Sequence, residues 1–193
     1  EAGRDNSVDW DQAFERVPTE GISEYTRRDT EHANPEHRPT KEQYDRYLWL
    51  VEHFRSLGWD NSKLHDASPF QVVDPGFNAI LIRSCFDLAA LAEELEMDDV
   101  AQRNYAWARQ SLESLEDLWS DQHRQYLCQD RTTGQLVESS SVGGLLAVFA
   151  PIRHTRAQAI AQRIEQISAE CRFSIPSHDP RDSRFDAKRY WRG

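Results

Sequence analysis

The chain has 193 residues, a length that allows one domain or a portion of a larger one. Hydrophobic residues make up 38% of it and aromatic residues 10%, which is enough apolar material for a packed core and excludes a disordered chain. The formal net charge is −10, from 33 acidic and 23 basic residues. This charge opposes binding to nucleic acid or to an anionic bilayer, so neither is an expected partner.

The sequence shows no signal for a membrane or for an oxidising compartment. No apolar run approaches the roughly 20 residues that cross a bilayer, and residues 1–15 lack the order of a signal peptide, although a signal removed upstream stays open. Cys85, Cys128 and Cys171 stand far apart, which fits neither a zinc site nor a disulfide framework. We therefore expect a soluble, cytoplasmic protein without cofactor or metal.

Helical periodicity dominates the middle of the chain. Residues 40–57 begin with Thr40 as N-cap and place apolar side chains on one stripe. A second helix starts at Asp74, with Pro75 in its first turn, and a third covers residues 98–119. The leucines on the second and third stripes are predicted to form core: Leu88, Leu91, Leu95, Leu112 and Leu115.

The second half of the chain alternates short elements. Two extended pieces, residues 125–130 and 135–138, flank a turn and predict a small β-hairpin. A short apolar helix stops near Pro151, and an amphipathic helix covers residues 155–169. Helices with almost no strand predict an all-α fold. Long loops between such helices are more often functional than idle, and here they are residues 18–39 and 174–193.

One short pattern, Gly-x-Asp-Asn-Ser, occurs twice, at residues 3–7 and 58–62. The second copy directly follows the helix over residues 40–57, where Gly58 suits a helix stop and Asp60 a turn. For the first copy, with Asp5, the residues alone favour a helix cap before residues 8–16 over a chemical role. The chemical role therefore needs support from beyond this pattern.

Five segments in order point to one family: GRDNSVDWDQAF, HRPTKEQYDRYLWLVEHFRSLGWD, SPFQVVDPGFNAILIRSCFDLAALAEEL, SVGGLLAVFAPI and FDAKRYWRG. Together they resemble the glycoside hydrolases of family 63, among them mannosylglycerate and glucosylglycerate hydrolases, processing α-glucosidases and, more distantly, trehalases. The resemblance implies an (α/α)6 barrel. Residues 1–193 would then be the middle portion of a single catalytic domain, truncated at both ends.

The resemblance assigns chemistry to the first copy of the pattern. It implies that Asp5 is the general acid of an inverting glycosidase, and that the base is a glutamate beyond Gly193. Hydrolysis needs two carboxyl groups, so residues 1–193 alone should be inactive. A general acid keeps its proton through burial or a nearby like charge, and Trp10 and Asp11 are available for this. Relatives often carry a bulky apolar residue and a proline at the positions of Arg4 and Val8. These two differences leave the shape of the loop around Asp5 open.

The resemblance also implies substrate contacts. Arg38 and Tyr44 would bind the carboxylate of the departing acid, since a guanidinium meets a carboxylate with two parallel hydrogen bonds. Tyr190 and Trp191 would line the sugar subsite, and Trp10 would be a further contact. The alternatives are a surface arginine, a core tyrosine and ordinary aromatic packing beneath a loop.

The expected function is hydrolysis of a small α-linked glycoside such as glucosylglycerate or mannosylglycerate, with a small carbohydrate as partner. A second reading is an α-glucosidase or debranching-like enzyme, and a third is an inactive helical protein that binds carbohydrate. His32 and His37 with Glu31 and Glu36 lack the register of a zinc site, so no metal is expected. The sequence does not indicate an oligomeric state.

Overall fold

The structure is a computed structural model that describes residues 3–173 and 175–193. Its α-helices are, in chain order, α1 (Asp11–Phe14), α2 (Lys41–Ser56), α3 (Asn61–Ala67), α4 (Pro75–Glu94), α5 (Asp98–Leu115), α6 (Val142–Leu145) and α7 (His154–Glu170). Short 3₁₀ helices lie at Val8–Trp10, Pro35–His37, Glu116–Leu118 and Leu146–Phe149. Helices thus dominate the described residues, which confirms the predicted all-α class.

The starts of α2 and α4 lie where the sequence predicts them. Thr40 Oγ1 accepts a hydrogen bond from the Gln43 backbone (3.2 Å), and the Gln43 side chain accepts one from the Thr40 backbone (2.9 Å), which forms a capping box. Asp74 Oδ1 accepts from two backbone N–H groups in the first turn of α4, at 2.8 and 3.2 Å. These side chains satisfy the donors that a helix start leaves open, and so they fix both starts.

The third predicted helix is shorter than expected. The helix α5 ends at Leu115, and Trp119 begins strand β2 (Trp119–Ser120), which pairs antiparallel with β3 (Gln125–Tyr126). Trp119 lies opposite Tyr126 in this pair, and the two rings meet edge to face at 5.1 Å. Cross-strand aromatic packing of this kind stabilises strand pairs. It overrides the helical period that runs on to Trp119 in the sequence.

The predicted β-hairpin is present and carries a further strand pair. Cys128 O accepts a hydrogen bond from Val137 N (2.7 Å), and the backbone N–H of Asp130 donates to Gln135 O (2.9 Å). The outer strand β4 (Gln129–Asp130) also pairs antiparallel with β1 (Val72–Val73). The hairpin therefore ties the segment before α4 to the middle of the chain.

The main core lies between α4, α5, α7 and the segment from β3 to the 3₁₀ turn at Leu146–Phe149. Its fully or nearly fully buried residues include Ala79, Ile82, Leu115, Tyr126, Leu145, Ile160 and Ile167. Fully burying a large apolar side chain contributes about 1.5 to 3 kcal/mol, so this cluster holds the helices together. No helix within residues 3–173 or 175–193 combines the length and the apolar character that a membrane crossing requires.

The prediction that the leucines near the end of α4 are core residues is wrong for the part of the chain that the structure describes. Leu88, Leu91 and Leu95 are 47%, 55% and 62% exposed, whereas Leu115 on α5 is buried and Leu112 is partly buried against the core. The buried face of α4 carries mostly small residues instead: Ala79, Ile82, Ala89 and Ala92. A helix that is apolar on two faces is typical of one packed on both sides, and the sequence pattern does not say which face meets α5.

The start of α6 packs directly on strand β3, and this approach predicts a stability effect. A Cβ atom added at Gly144 would lie 2.0 Å from the carbonyl oxygen of the fully buried Tyr126. Overpacking a core usually costs about 1 to 3 kcal/mol, and a clash with backbone belongs at the upper end. We expect Gly144→Ala to lower the free energy of unfolding by about 3 kcal/mol, measured by urea titration.

Gly58 supplies the matched control for this variant. Its φ is 69°, and a Cβ atom there would meet nothing within 4 Å. Asparagine adopts this left-handed conformation readily, so Gly58→Asn should change the unfolding free energy by less than about 1 kcal/mol. Equal unfolding midpoints for the two variants would show that the approach of α6 to β3 is not a rigid feature.

Candidate active site

A buried charged network anchors the loop formed by residues 3–9, which we call the acid loop. The Arg4 guanidinium pairs with Asp9, donates to Asp74 Oδ2 (2.8 Å) and donates to Ser141 Oγ (3.2 Å). Asp9 also accepts from Ser141 Oγ (2.6 Å) and Ser139 Oγ (2.5 Å). Arg4, Asp9 and Asp74 are 4%, 2% and 6% exposed, so the network is a buried connection between the acid loop, the start of α4 and residues 139–141.

The network keeps its groups charged despite burial. Burial alone would lower the pKa of Arg4, but the adjacent Asp9 and Asp74 carboxylates outweigh it and raise that pKa. Burial alone would raise the pKa of Asp9, but Arg4 and the two serine hydroxyls hold it below its ordinary value. Removing one partner of such a buried pair is strongly destabilising, because the other charge is left without compensation. Arg4 therefore fixes the shape of the acid loop.

Asn6 links the acid loop to two distant segments. Its backbone has a φ of 66°, its Nδ2 donates to Tyr190 O (3.0 Å), and its Oδ1 accepts from Gln43 Nε2 (2.8 Å). Its carbonyl oxygen accepts from Arg192 Nε (3.0 Å). Both polar groups of the Asn6 side chain thus hold Asp5 next to the start of α2 and the end of the chain.

The last four residues are tied to the same place from the other side. Arg192 Nη2 donates to Asp11 Oδ1 (2.5 Å), and the backbone N–H of Tyr190 donates to His37 O (3.0 Å). These bonds bring the C-terminal loop across both the acid loop and the segment that precedes α2. Three segments far apart in sequence therefore meet at one point.

A hollow of about 280 Å³ lies where these segments meet, and we call it the aromatic hollow. Its lining residues are Asp5, Asp29, Arg38, Pro39, Tyr44, Tyr47 and Tyr190. Asp5 is half-buried, and its carboxyl group accepts no hydrogen bond from the residues that the structure describes. The Arg38 guanidinium lies over the Tyr190 ring, 4.7 Å from its centroid. Acidic, cationic and aromatic residues thus line one small cavity.

The loop over residues 18–39 supplies a second layer around Tyr44. Arg27 binds both carboxylate oxygens of Asp29, at 3.0 and 2.6 Å, and its guanidinium lies 4.7 Å from the centroid of the Tyr44 ring. The Tyr25 ring stacks on Tyr44 at 5.5 Å, and its hydroxyl donates to Asp45 (2.5 Å). The hydrogen bonds from Arg27 hold the pKa of Asp29 below its ordinary value. A larger hollow of about 450 Å³ beside Tyr25 contains none of the predicted site residues.

Comparison with known proteins decides the family. The sequence model of one protein family, the mannosylglycerate hydrolase MGH1-like glycoside hydrolase domain, matches residues 1–193. The chain belongs to this family. Within the family it is 42% identical to a mannosylglycerate hydrolase of Thermus thermophilus over 194 residues, and 31% identical to a glucosylglycerate hydrolase of Mycolicibacterium hassiacum over 212 residues.

The family match extends to three dimensions. The crystal structure of a GH63 mannosylglycerate hydrolase from Thermus thermophilus, in complex with Tris and D-glycerate, superposes with a TM-score of 0.93 at 42% identity. The superposition covers 99% of this chain and 46% of that one. The two curated relatives are covered to 46% and 45% of their lengths. The predicted membership of family 63 is confirmed, and the helices match part of an (α/α) barrel of that type.

The structure places the predicted site residues in three positions. Asp5, Arg38, Tyr44 and Tyr190 line the aromatic hollow together. Trp191 lies beside it and lines a separate hollow of about 310 Å³ with Arg4 and Phe77. Trp10 is 3% exposed in the core, where its ring packs on Phe70 and its Nε1 donates to Arg4 O (2.7 Å). Trp10 therefore supports the acid loop from beneath and is not among the lining residues of either hollow.

The second copy of Gly-x-Asp-Asn-Ser was predicted to form a turn after α2, but the structure shows that it begins the further helix α3. Asp60 caps α3 by accepting hydrogen bonds from the backbone N–H (3.0 Å) and the hydroxyl (2.7 Å) of Ser62. In the first copy, Ser7 caps the 3₁₀ turn at Val8–Trp10, so Asp5 is not the capping residue. The first copy of the motif thus does supply a helix cap, as the alternative interpretation expected, but Ser7 and not Asp5 provides it.

Several residues of the site were missed from the sequence. Asn6 and Gln43 hold the acid loop, Arg27 and Asp29 adjoin Arg38, and Arg4 was recognised only as a departure from the family pattern. The length of the loop over residues 18–39 was the one signal for Arg27 and Asp29. Among the residues described, no group of three or more His, Cys, Asp or Glu side chains is placed to hold a metal ion.

Proposed function

We propose that this chain is part of the catalytic domain of an inverting glycoside hydrolase that cleaves glucosylglycerate or mannosylglycerate. The observation that carries the proposal is the convergence of Asp5, Arg38, Tyr44 and Tyr190 on the aromatic hollow. A cavity with aromatic walls and a few polar groups suits one small glycoside. The relatives named above are hydrolases of these two compounds, which supports the substrate class.

Asp5 is the proposed general acid. Asp5 lines the hollow, and its carboxyl group has no hydrogen-bond partner among the described residues, so it is free to bind a glycosidic oxygen. The acid must lie within about 3 Å of that oxygen in the bound state. The bonds of Asn6 to Tyr190 O and to Gln43 Nε2 hold the neighbouring backbone in place for this purpose.

The base of the reaction is proposed to lie outside residues 1–193. Inverting glycosidases place their two carboxyl groups about 6.5 to 9.5 Å apart, so that a water molecule fits between the base and the sugar. Asp29 is the other carboxylate in the aromatic hollow, but Arg27 binds both of its oxygens and lowers its pKa. A carboxylate held in this way is a weak base. A glutamate from a continuing catalytic domain fits the requirement better.

Arg38 is the proposed ligand of the glycerate carboxylate. Its Nε faces Asp29 Oδ2 at 3.5 Å and its planar face lies on Tyr190, whereas its two terminal nitrogens have no hydrogen-bond partner among residues 3–173 and 175–193. These two nitrogens form one of the edges through which a guanidinium can meet a carboxylate with parallel hydrogen bonds. A relative binds D-glycerate in its crystal structure, which supports an acid-binding group here.

The compartment is proposed to be the cytoplasm. All three cysteines lie within the described residues and carry free thiols. Proteins of oxidising compartments commonly use such residues in disulfides, whereas cytosolic proteins keep them reduced.

Substrate choice by the full-length enzyme tests the proposed function. We expect glucosylglycerate or mannosylglycerate to be hydrolysed with a kcat/KM about 100-fold above that of maltose, because maltose offers no carboxylate to Arg38. NMR of the first product should show the β-anomer, since inversion of an α-linkage releases it. Better turnover of maltose would support the α-glucosidase reading, and binding of carbohydrate without any hydrolysis would support the binding-protein reading. Either result would overturn the proposal.

A further inference from the structure

Asp29 lies between two arginines at the edge of the aromatic hollow. Arg27 binds its two oxygens at 3.0 and 2.6 Å, and Arg38 Nε approaches Oδ2 at 3.5 Å. The Asp29 side chain is 13% exposed, against 30% for Arg38 and 17% for Arg27. The carboxylate is therefore the least exposed member of this group of three, and both cations converge on it.

We infer that Asp29 is a positioning residue that presents the terminal nitrogens of Arg38 to the carboxylate of the substrate. The inference rests on the proposed function, because it requires a substrate with an acidic aglycone. Asp29 contacts Arg38 on the Nε side, and Tyr190 supports the face of the guanidinium. Because Asp29 holds Nε of Arg38 and Tyr190 holds the face of its guanidinium, the two terminal nitrogens point to a fixed position. Preorganisation of this kind increases affinity because less side-chain freedom is lost on binding.

Arg27 makes this arrangement possible. A carboxylate beside a free guanidinium ordinarily forms two parallel hydrogen bonds with it and would then compete with the substrate. Arg27 occupies both oxygens of Asp29, so the contact with Arg38 remains a single, longer one. Arg27 in turn lies on the Tyr44 ring, which Tyr25 supports from the loop over residues 18–39. This loop thus acts on specificity through Arg38.

The charge balance agrees with this role. Arg27 and Asp29 neutralise each other, which leaves the positive charge of Arg38 for an incoming anion. Without Asp29, two unpaired arginines would repel each other near Tyr44 and Tyr190, and Arg38 would lose its fixed orientation. Affinity for an anion would then depend on charge alone, without the directional hydrogen bonds that a held guanidinium provides.

The test compares two glycosides that differ only in the acid group. In the full-length enzyme, Asp29→Asn should raise the KM for the glycosylglycerate about ten-fold, which corresponds to about 1.4 kcal/mol. The kcat should stay nearly constant, because binding that is equal in ground and transition states affects KM alone. The KM for the matching glycosylglycerol, in which a CH2OH group replaces the carboxylate, should change by less than about two-fold. D-glycerate should inhibit the variant about ten-fold more weakly.

Two further variants separate positioning from simple loss of structure. Asp29→Glu keeps the carboxylate and should recover part of the affinity for D-glycerate. Glu42→Gln is the control. It removes a carboxylate at the start of α2 that pairs with Arg46, is 69% exposed and does not line the hollow. It should leave the KM unchanged for both the glycosylglycerate and the glycosylglycerol. Equal losses on both glycosides in Asp29→Asn, or no loss on either, would overturn the inference. If the unaltered enzyme hydrolyses neither glycoside, it is the proposed function that fails.

Discussion

Replacing Asp5 by asparagine should lower the kcat for a glycosylglycerate by about 10³-fold, because removing a general acid typically costs about 10² to 10⁴-fold. Asparagine keeps the size of the side chain but cannot donate a proton to the departing glycerate oxygen. The KM should change little, since Asp5 forms none of the contacts proposed for the carboxylate. Steady-state kinetics of the full-length variant measure both quantities.

Two controls identify the effect as proton donation. A glycosyl fluoride releases fluoride without needing a proton, so Asp5→Asn should hydrolyse it nearly as fast as the unaltered enzyme. Asp60→Asn changes the same residue in the second Gly-x-Asp-Asn-Ser copy, where Asp60 caps α3 and forms an exposed ion pair with Lys63, and where asparagine caps equally well. This control should retain full activity. A variant at Asp5 that stays active on glycosylglycerates would remove Asp5 from the mechanism.

The sequence predicted the longer helices well because local physics determines them, but it placed a turn where α3 lies. Capping side chains at Thr40 and Asp74 and regular apolar spacing placed the starts of α2 and α4 to within a residue. The errors arose where tertiary contacts decide. Trp119 leaves the helix because it pairs with Tyr126, and α4 turns its small residues to α5 rather than its leucines. Periodicity shows that a face is apolar, but not which neighbour will cover it.

The site was predictable only to the extent that the family motifs carry it. Asp5, Arg38, Tyr44 and Tyr190 were predicted through the resemblance, and the structure brings them to one hollow. Asn6 and Asp29 were missed because their importance depends on partners that are distant in sequence or held by loop geometry, and no spacing rule encodes such contacts. Trp10 was predicted to be a substrate contact but lies buried in the core, because an aromatic residue near the aspartate proposed as acid suits a sugar subsite and a core equally well.

Arg38 should set the preference for an acidic aglycone more strongly than any other described residue. Arg38→Gln removes the charge and both terminal donors, and a lost charge-assisted pair in a partly enclosed site costs about 2 to 5 kcal/mol. We therefore expect kcat/KM for the glycosylglycerate to fall about 100-fold, which corresponds to about 2.7 kcal/mol. The kcat/KM for the glycosylglycerol should stay within about two-fold of that of the unaltered enzyme. The ratio of the two kcat/KM values, which measures the preference for the acidic aglycone, should therefore fall by a similar factor to the glycosylglycerate value.

The remaining variants show which property of Arg38 is responsible. Arg38→Lys keeps the charge but loses the planar fork and the stack on Tyr190. Its ratio of kcat/KM for the glycosylglycerate to kcat/KM for the glycosylglycerol should therefore lie between those of the unaltered enzyme and Arg38→Gln. Arg83→Gln removes an equal charge that pairs with Asp87 on α4, outside the lining of the hollow, and it should leave the ratio unchanged. If Arg38→Gln lowered the turnover of both glycosides equally, the arginine would have a structural role, and the carboxylate would have to be bound by a group outside these residues.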